Sequence, residues 1–231
     1  MAAFTERTGG ISEPPYDSLN LSFVAGDLPA RVRTNRRRAA AAAAVPHLTL
    51  ARQVHGVAVA RIGRRRAGSG FLDPATALGP ADVLVTRAPG VAVAILVADC
   101  LPIVLAADDM VMLLHAGWRG LSAGILGRAV SLFGRPERVA GAIGPGIGPC
   151  HYEVGPEVVE AVGRGVGGAS HVRRRGRLFL DLPTTAEAGL RSAGVRDLVV
   201  AEECTACHPD RLYSHRRDGI TGRQGAVAML L

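Results

Sequence analysis

The chain reads as a single-domain α/β sandwich, a central mixed β-sheet system flanked by helices, spanning residues 1–231. Three observations predict this class. Short apolar runs of strand length crowd the middle of the chain between tight turns. Strand-like and helix-like segments alternate through the second half. No internal repeat and no linker divides the sequence, and its length suits one domain.

The segment up to about Asp27 is loop-like, with Pro14-Pro15 and Gly26-Asp27. Arg31 to Val45 is helical, favoured by the alanines from Ala39 to Ala44 and ended by Pro46. Leu48 to Val54 and Val57 to Ile62 are strands around His55-Gly56. Arg64 to Gly79 is polar and glycine-bearing, and is expected to be a mobile loop. Four apolar runs then predict a continuous central sheet: Asp82 to Thr86, Val91 to Val97, Pro102 to Ala106 and Val111 to His115. A helix follows over Leu121 to Phe133, and a strand over Arg138 to Ile143. The loop Gly144 to Pro149 precedes a short helix near Pro156 to Val162. Strands at Leu178 to Leu182 and Leu198 to Ala201 flank a helix over Thr184 to Ala193, and Gly225 to Leu230 is the last strand.

The composition excludes several classes. A hydrophobic fraction of 48% supplies a core, yet no apolar run reaches the length of a membrane span. The start lacks a basic region followed by an apolar stretch, so a cytoplasmic location is expected. The net charge of +7 invites a nucleic-acid partner. Against that, every basic residue is arginine, the aromatic fraction is only 4%, and the triplets Arg36 to Arg38, Arg64 to Arg66 and Arg173 to Arg175 lie far apart. Solvated faces and loops explain the charge better than a phosphate-binding surface does.

The chemistry gathers around His115-Ala116-Gly117-Trp118-Arg119-Gly120, where a histidine leaves a strand at a tight turn before a helix. His55 and Cys100 are placed similarly at strand ends. Two histidines and a cysteine make three of zinc's four ligands and leave one position open. Their wide spacing fits no local metal motif, and taken alone each also reads as an ordinary core residue. A nucleophilic dyad of Cys100 with His115 uses the same residues, and copper also accepts this ligand set.

Gly144-Pro145-Gly146-Ile147-Gly148-Pro149-Cys150 is not a dinucleotide loop, because its prolines remove N–H donors; it reads as a rigid pocket wall, with Tyr152-Glu153 close by. Cys204-Thr205-Ala206-Cys207-His208 matches the c-type haem attachment pattern, but no export signal accompanies it. A redox pair or second zinc site would need further partners, so these thiols read as buried or incidental. Arg216 and Arg223, in the polar stretch after Tyr213, are candidates for anion binding.

Taken in order, Gln53-Val54-His55-Gly56, Ala98-Asp99-Cys100-Leu101-Pro102, the His115 hexapeptide, Gly144-Pro145…Gly148 with Tyr152-Glu153-Val154, and Ser214-His215-Arg216-Arg217-Asp218…Thr221-Gly222-Arg223 closely resemble the YfiH family. That family is also called laccase-domain proteins, multicopper polyphenol oxidases or peptidoglycan editing factor. The likeness runs from about Asn20 to Leu231. It implies an α/β sandwich with a zinc site formed by His55, Cys100 and His115, which would also be the catalytic residues. It implies purine nucleoside phosphorylase activity: adenosine, inosine, guanosine or methylthioadenosine plus phosphate would give free base and pentose 1-phosphate, with adenosine deamination besides. Asn20, Arg36, Gln53, Arg119 and Arg216 are the substrate-binding candidates that follow from it. The family's other labels imply two alternatives, a Cys100-dependent hydrolase editing cell-wall precursors and a copper-dependent polyphenol oxidase. One departure stands out: Val24 occupies a position where the family usually has histidine.

Overall fold

The computed structural model describes residues 1–231 as fourteen strands and six α-helices. The segment expected to be loop opens with β1 (Ala2–Phe4), which is a strand because it completes a ladder on the chain's last strand. Helix α1 (Pro29–Ala42) starts earlier than expected, with Pro29 at its first position, where a missing N–H leaves no bond unmade. It ends before Ala44, whose φ is 53°.

Strands β2 (Ala51–Arg52) and β3 (Val59–Ile62) are shorter than expected, because the backbone between them turns its N–H groups toward a buried carboxylate instead. The stretch expected to be mobile contains 3-10 turns at Arg64–Arg66 and Pro74–Thr76 and then β4 (Leu78–Pro80). It is pinned from α1. The buried Arg36 donates from Nε to the Leu21 carbonyl at 2.7 Å and from Nη1 to those of Gly70 and Phe71. Burial lowers this guanidinium to about 10, which still leaves it charged at neutral pH.

The four apolar runs form β5 (Val83–Thr86), β6 (Val93–Val97), β7 (Leu101–Ala107) and β8 (Met110–Ala116). The single helix expected next is two, α2 (Trp118–Ser122) and α3 (Ile125–Val130), separated at Gly124 with φ 79°. Then come β9 (Ala140–Ile143), β10 (Glu153–Val154), α4 (Pro156–Val166), β11 (His171–Arg174) and β12 (Arg177–Leu180). Helix α5 (Leu182–Ser192), β13 (Asp197–Val200), α6 (His215–Asp218) and β14 (Gln224–Ala228) complete the chain. Strands β10 and β11 were not expected; they pair on either side of β12 in an exposed three-stranded sheet.

The apolar runs do not make one continuous sheet. Strands β5, β7 and β8 lie in a six-stranded mixed sheet of order β13-β9-β7-β8-β5-β3, parallel at both outer pairs and antiparallel within. Strand β6 belongs to a second sheet, β1-β14-β6, which covers one face of the first. The alternation of side chains explains the layers. Met112 and Leu114 of β8 join Leu121, Ile125, Val162 and Leu190 in the core under the helices. Val111 and Leu113 of the same strand join Val93, Ile95, Ala226 and Ala228 under the second sheet. Covered on both sides, β8 is buried throughout, which is why it reads as an unbroken apolar run.

The arginine triplets behave as expected except for Arg36. Arg64 to Arg66 and Arg173 to Arg175 are exposed and lie on separate elements. No helix is long and apolar enough to cross a membrane.

Candidate metal centre

Register brings the three candidate ligands to one end of the six-stranded sheet. Leu101 pairs with Ala116 across β7 and β8, so Cys100, just before β7, lies beside His115 near the end of β8. Asp82 precedes β5, and β5 pairs with β8 through Val83 and Leu114. His55, in the turn before β3, has a left-handed backbone with φ 59°. The ligand atoms of His55, Cys100 and His115 all lie within 4.8 Å of one another. The two imidazole rings meet edge to face, with centroids 4.6 Å apart.

Asp82 organises this trio. It is fully buried, and its carboxylate accepts the backbone N–H groups of Val54, His55 and Gly56, the last at 2.7 Å. The same carboxylate meets His115 Nδ1 at 2.8 Å, which leaves Nε2 as the free ring nitrogen. One carboxylate therefore sets both the turn that carries His55 and the orientation of His115. Burial pushes Asp82 up, but the bonds from His115, Gly56 and Val54 bring it below the usual carboxylate range.

Cys100 follows Asp99, whose φ of 95° turns the chain sharply into β7. Burial raises its thiol, and the neighbouring His115 and His55 outweigh that, so the thiolate is favoured. Burial lowers His115, and Cys100 and Asp82 raise it further than burial lowers it. Gly117 is required beside them, since a Cβ there would stand 2.7 Å from Cys100 Sγ. Two imidazoles and a thiolate, with one imidazole oriented by a carboxylate, suit a zinc ion with one position left open.

The other candidates separate into two groups. Arg119 is exposed and its guanidinium lies 4.4 Å from the Trp118 ring centroid. Arg216 lies 4.9 Å from the Tyr152 ring centroid and donates to the Glu153 carbonyl at 2.9 Å. Burial first, then the Cys100 and Asp99 charges, push the Tyr152 phenol up to about 12, against the pull of Arg216 and Arg119. Burial lowers Arg223 while Asp99 and Cys100 pull the other way, and its Nη1 donates to the Thr221 and Gly222 carbonyls at 2.9 and 2.8 Å.

Asn20, Arg36 and Gln53 have their polar groups occupied inside the protein. Asn20 is buried, donates to Asp27 and Ser22, and accepts from the backbone of Ser22 and Arg223. Gln53 clamps Leu96 of β6 through both its amide nitrogen and oxygen at 2.8 Å. Arg36 is the loop anchor described above. Val24, at the departure from the family pattern, is 92% exposed.

Sequence reasoning missed Asp82, although a lone aspartate heading a fully apolar strand was a usable signal. It also missed a second cluster. Cys150 and His151 come within ligand distance of Cys204 and Cys207, so the C-x-x-C pair does have the partners it lacked in the sequence.

A family model described as multi-copper polyphenol oxidoreductase laccase matches residues 1–231. "Purine nucleoside phosphorylase YfiH" of Escherichia coli is 36% identical, covering 100% of this chain and 93% of that protein. "Purine nucleoside phosphorylase" of Xylella fastidiosa (strain 9a5c) is 41% identical, covering 100% and 92%. The crystal structure of YlmD from Geobacillus stearothermophilus superposes with a TM-score of 0.94 at 37% identity, over 100% of this chain and 92% of that one. Sequence, fold and full-length coverage agree that the chain belongs to the YfiH family, the laccase-like multi-copper polyphenol oxidoreductases by the family's formal description.

Proposed function

We propose that this chain is a cytoplasmic purine nucleoside phosphorylase, with His55, Cys100 and His115 holding zinc at its centre. The observation that carries the reading is the His55, Cys100 and His115 cluster with Arg119 four residues after His115 and the Arg216 backbone bonded to Asp99, next to Cys100, in a chain whose relatives bear that enzyme's name. Phosphorolysis forms a bond from a phosphate oxygen to the sugar C1′ and breaks the bond from C1′ to the purine nitrogen. The base leaves with the electron pair and takes up a proton. The chain's own task is to hold an anion against the sugar while the base departs. Arg119 and Arg216 are the residues for that anion, since a guanidinium fork matches phosphate and both are braced on an aromatic ring. Trp118 and Tyr152 offer flat faces for a purine. Asn20, Arg36 and Gln53 take no part in this reading, because their polar groups are already used.

Zinc held by this ligand set supplies Lewis acidity, the chemistry that hydrolytic loss of ammonia from adenosine also requires. Deamination at the same centre is therefore part of the proposal. Adenosine, inosine, guanosine and methylthioadenosine form the substrate class. A polyphenol oxidase with several copper centres fits less well, since the potential ligands form two clusters containing three histidines in all.

The test uses full-length, zinc-loaded protein with inosine and inorganic phosphate. Hypoxanthine and ribose 1-phosphate are expected in equal amounts, and only when phosphate is present. Absence of phosphate-dependent turnover with all four nucleosides would sink the reading. A Cys100 hydrolase is distinguished by metal-stripped protein that keeps full activity until Cys100 is alkylated.

A further inference from the structure

The cluster away from the active centre has a different character. Cys204 and Cys207 lie one turn apart in a C-x-x-C segment, and the fold lays that segment against the loop carrying Cys150-His151. Gly146 bridges Cys204 in parallel, and the Thr205 N–H donates to the Gly146 carbonyl at 3.0 Å. Cys150 Sγ and Cys207 Sγ are 3.4 Å apart. His151 Nδ1 is 3.5 Å from Cys207 Sγ and 3.9 Å from Cys204 Sγ. All four ligand atoms fall within 4.8 Å of one another.

Those separations suit a tetrahedron. Zinc–sulfur bonds of about 2.3 Å and zinc–nitrogen bonds of about 2.0 Å require ligand-to-ligand edges of roughly 3.5–3.8 Å. The Gly148 N–H donates to Cys204 Sγ at 3.2 Å, the kind of backbone bond that steadies a thiolate. A disulfide is a poorer account, since it joins only two of three thiols and leaves the imidazole and the third sulfur without a role.

We infer that Cys150, His151, Cys204 and Cys207 form a second, structural zinc site, closed by four protein ligands and separate from the open three-ligand centre. It does not rest on the phosphorylase reading. Its position gives it a purpose. Thr205, between the two ligand cysteines, donates to Asp99 Oδ1 at 2.6 Å, and Asp99 immediately precedes Cys100. The backbone N–H of Arg216 takes the other Asp99 oxygen at 2.6 Å, and the Ile147 N–H takes the Asp99 carbonyl at 2.9 Å. A metal clamping Cys150-His151 to the C-x-x-C segment would thus fix the wall that holds Asp99, Tyr152 and Arg216 in place.

Elemental analysis of full-length protein, purified reduced and loaded with zinc, is expected to find two ions per chain. Cys204→Ser/Cys207→Ser and His55→Ala variants are each expected to retain one. Retention of the wild-type content by the double serine variant would overturn the site. Because that variant could fail to fold, alkylation of wild-type protein supplies a second reading. Cys150 and Cys207 are exposed thiols, open to reagent unless a metal binds them. Zinc loading is expected to slow their labelling about tenfold or more relative to chelator-treated protein. Equal labelling rates in the two samples, or recovery of Cys150 joined to Cys207 as a disulfide from loaded protein, would also overturn it.

Discussion

Asp82 holds a turn and the candidate ligand His115 with the same two oxygens, so its loss removes both at once. Asp82→Asn keeps the size but supplies an amide where three backbone N–H groups and an imidazole expect acceptors. Zinc affinity at the open centre is expected to fall about 10- to 100-fold, the usual cost of removing an outer partner of a metal-bound histidine. Competition with a chromophoric chelator measures it, and an unchanged affinity would mean that the carboxylate merely fills space. The three candidate ligands stood out because histidine and cysteine are conspicuous at the ends of apolar strands, and the fold brings them together. Asp82 could be noticed at the head of its apolar strand, but its role could not, because that role depends on a turn contributed by residues more than twenty positions earlier. The arginines show the same limit. Arg36 and Arg216 look alike in the sequence, yet one is spent on three carbonyls under a loop and the other stands beside Tyr152.

At the level of elements, the clearest departure is the helix that breaks in two at Gly124. The apolar spacing from Leu121 to Phe133 supports one continuous helix, and nothing local forbids it. The reason for close packing here lies in α4, where Gly165 sits against the end of α2. A Cβ on Gly165 would stand 2.3 Å from the Leu121 carbonyl oxygen and 2.5 Å from that of Ser122. Both are backbone atoms that cannot swing aside. Gly165→Ala is therefore expected to destabilise the fold by roughly 1–3 kcal/mol, although alanine is the better helix former. Thermal unfolding followed by circular dichroism would show it, and a melting temperature at or above the wild-type value would contradict this account. The predicted mobile loop after β3 failed for a similar reason: its polar composition was visible, while the side chain that pins it lies on α1.

For the whole molecule, the alternation of strands and helices conveyed the class, and the apolar runs conveyed which strands are buried. The division of those runs between two sheets was not legible, since β6 is as apolar as β5 and β7. What separates β6 is its partner β14, more than a hundred residues later. The same small sheet contains β1, and Phe4 covers Gly144, where a Cβ would stand 2.5 Å from its ring. Removing residues 1–4 uncovers the edge of β14. The truncated chain is expected to melt at a lower temperature and to scatter more light as its concentration rises. A truncated protein that melts and scatters like the full chain would show that this edge needs no cover.

The order β1-β14-β6 also bears on how the protein is made. Its middle strand is the last of the three to be synthesised. While the ribosome is still extending the chain, β1 and β6 have no partner in that sheet. The apolar face of β8 that they and β14 will cover stays open to solvent. His55, Cys100 and His115 precede β14 by more than a hundred residues, so this candidate centre can begin to gather before the layer over its sheet exists. Until β14 arrives, that face of β8 is the kind of transient apolar surface on which partly made chains aggregate.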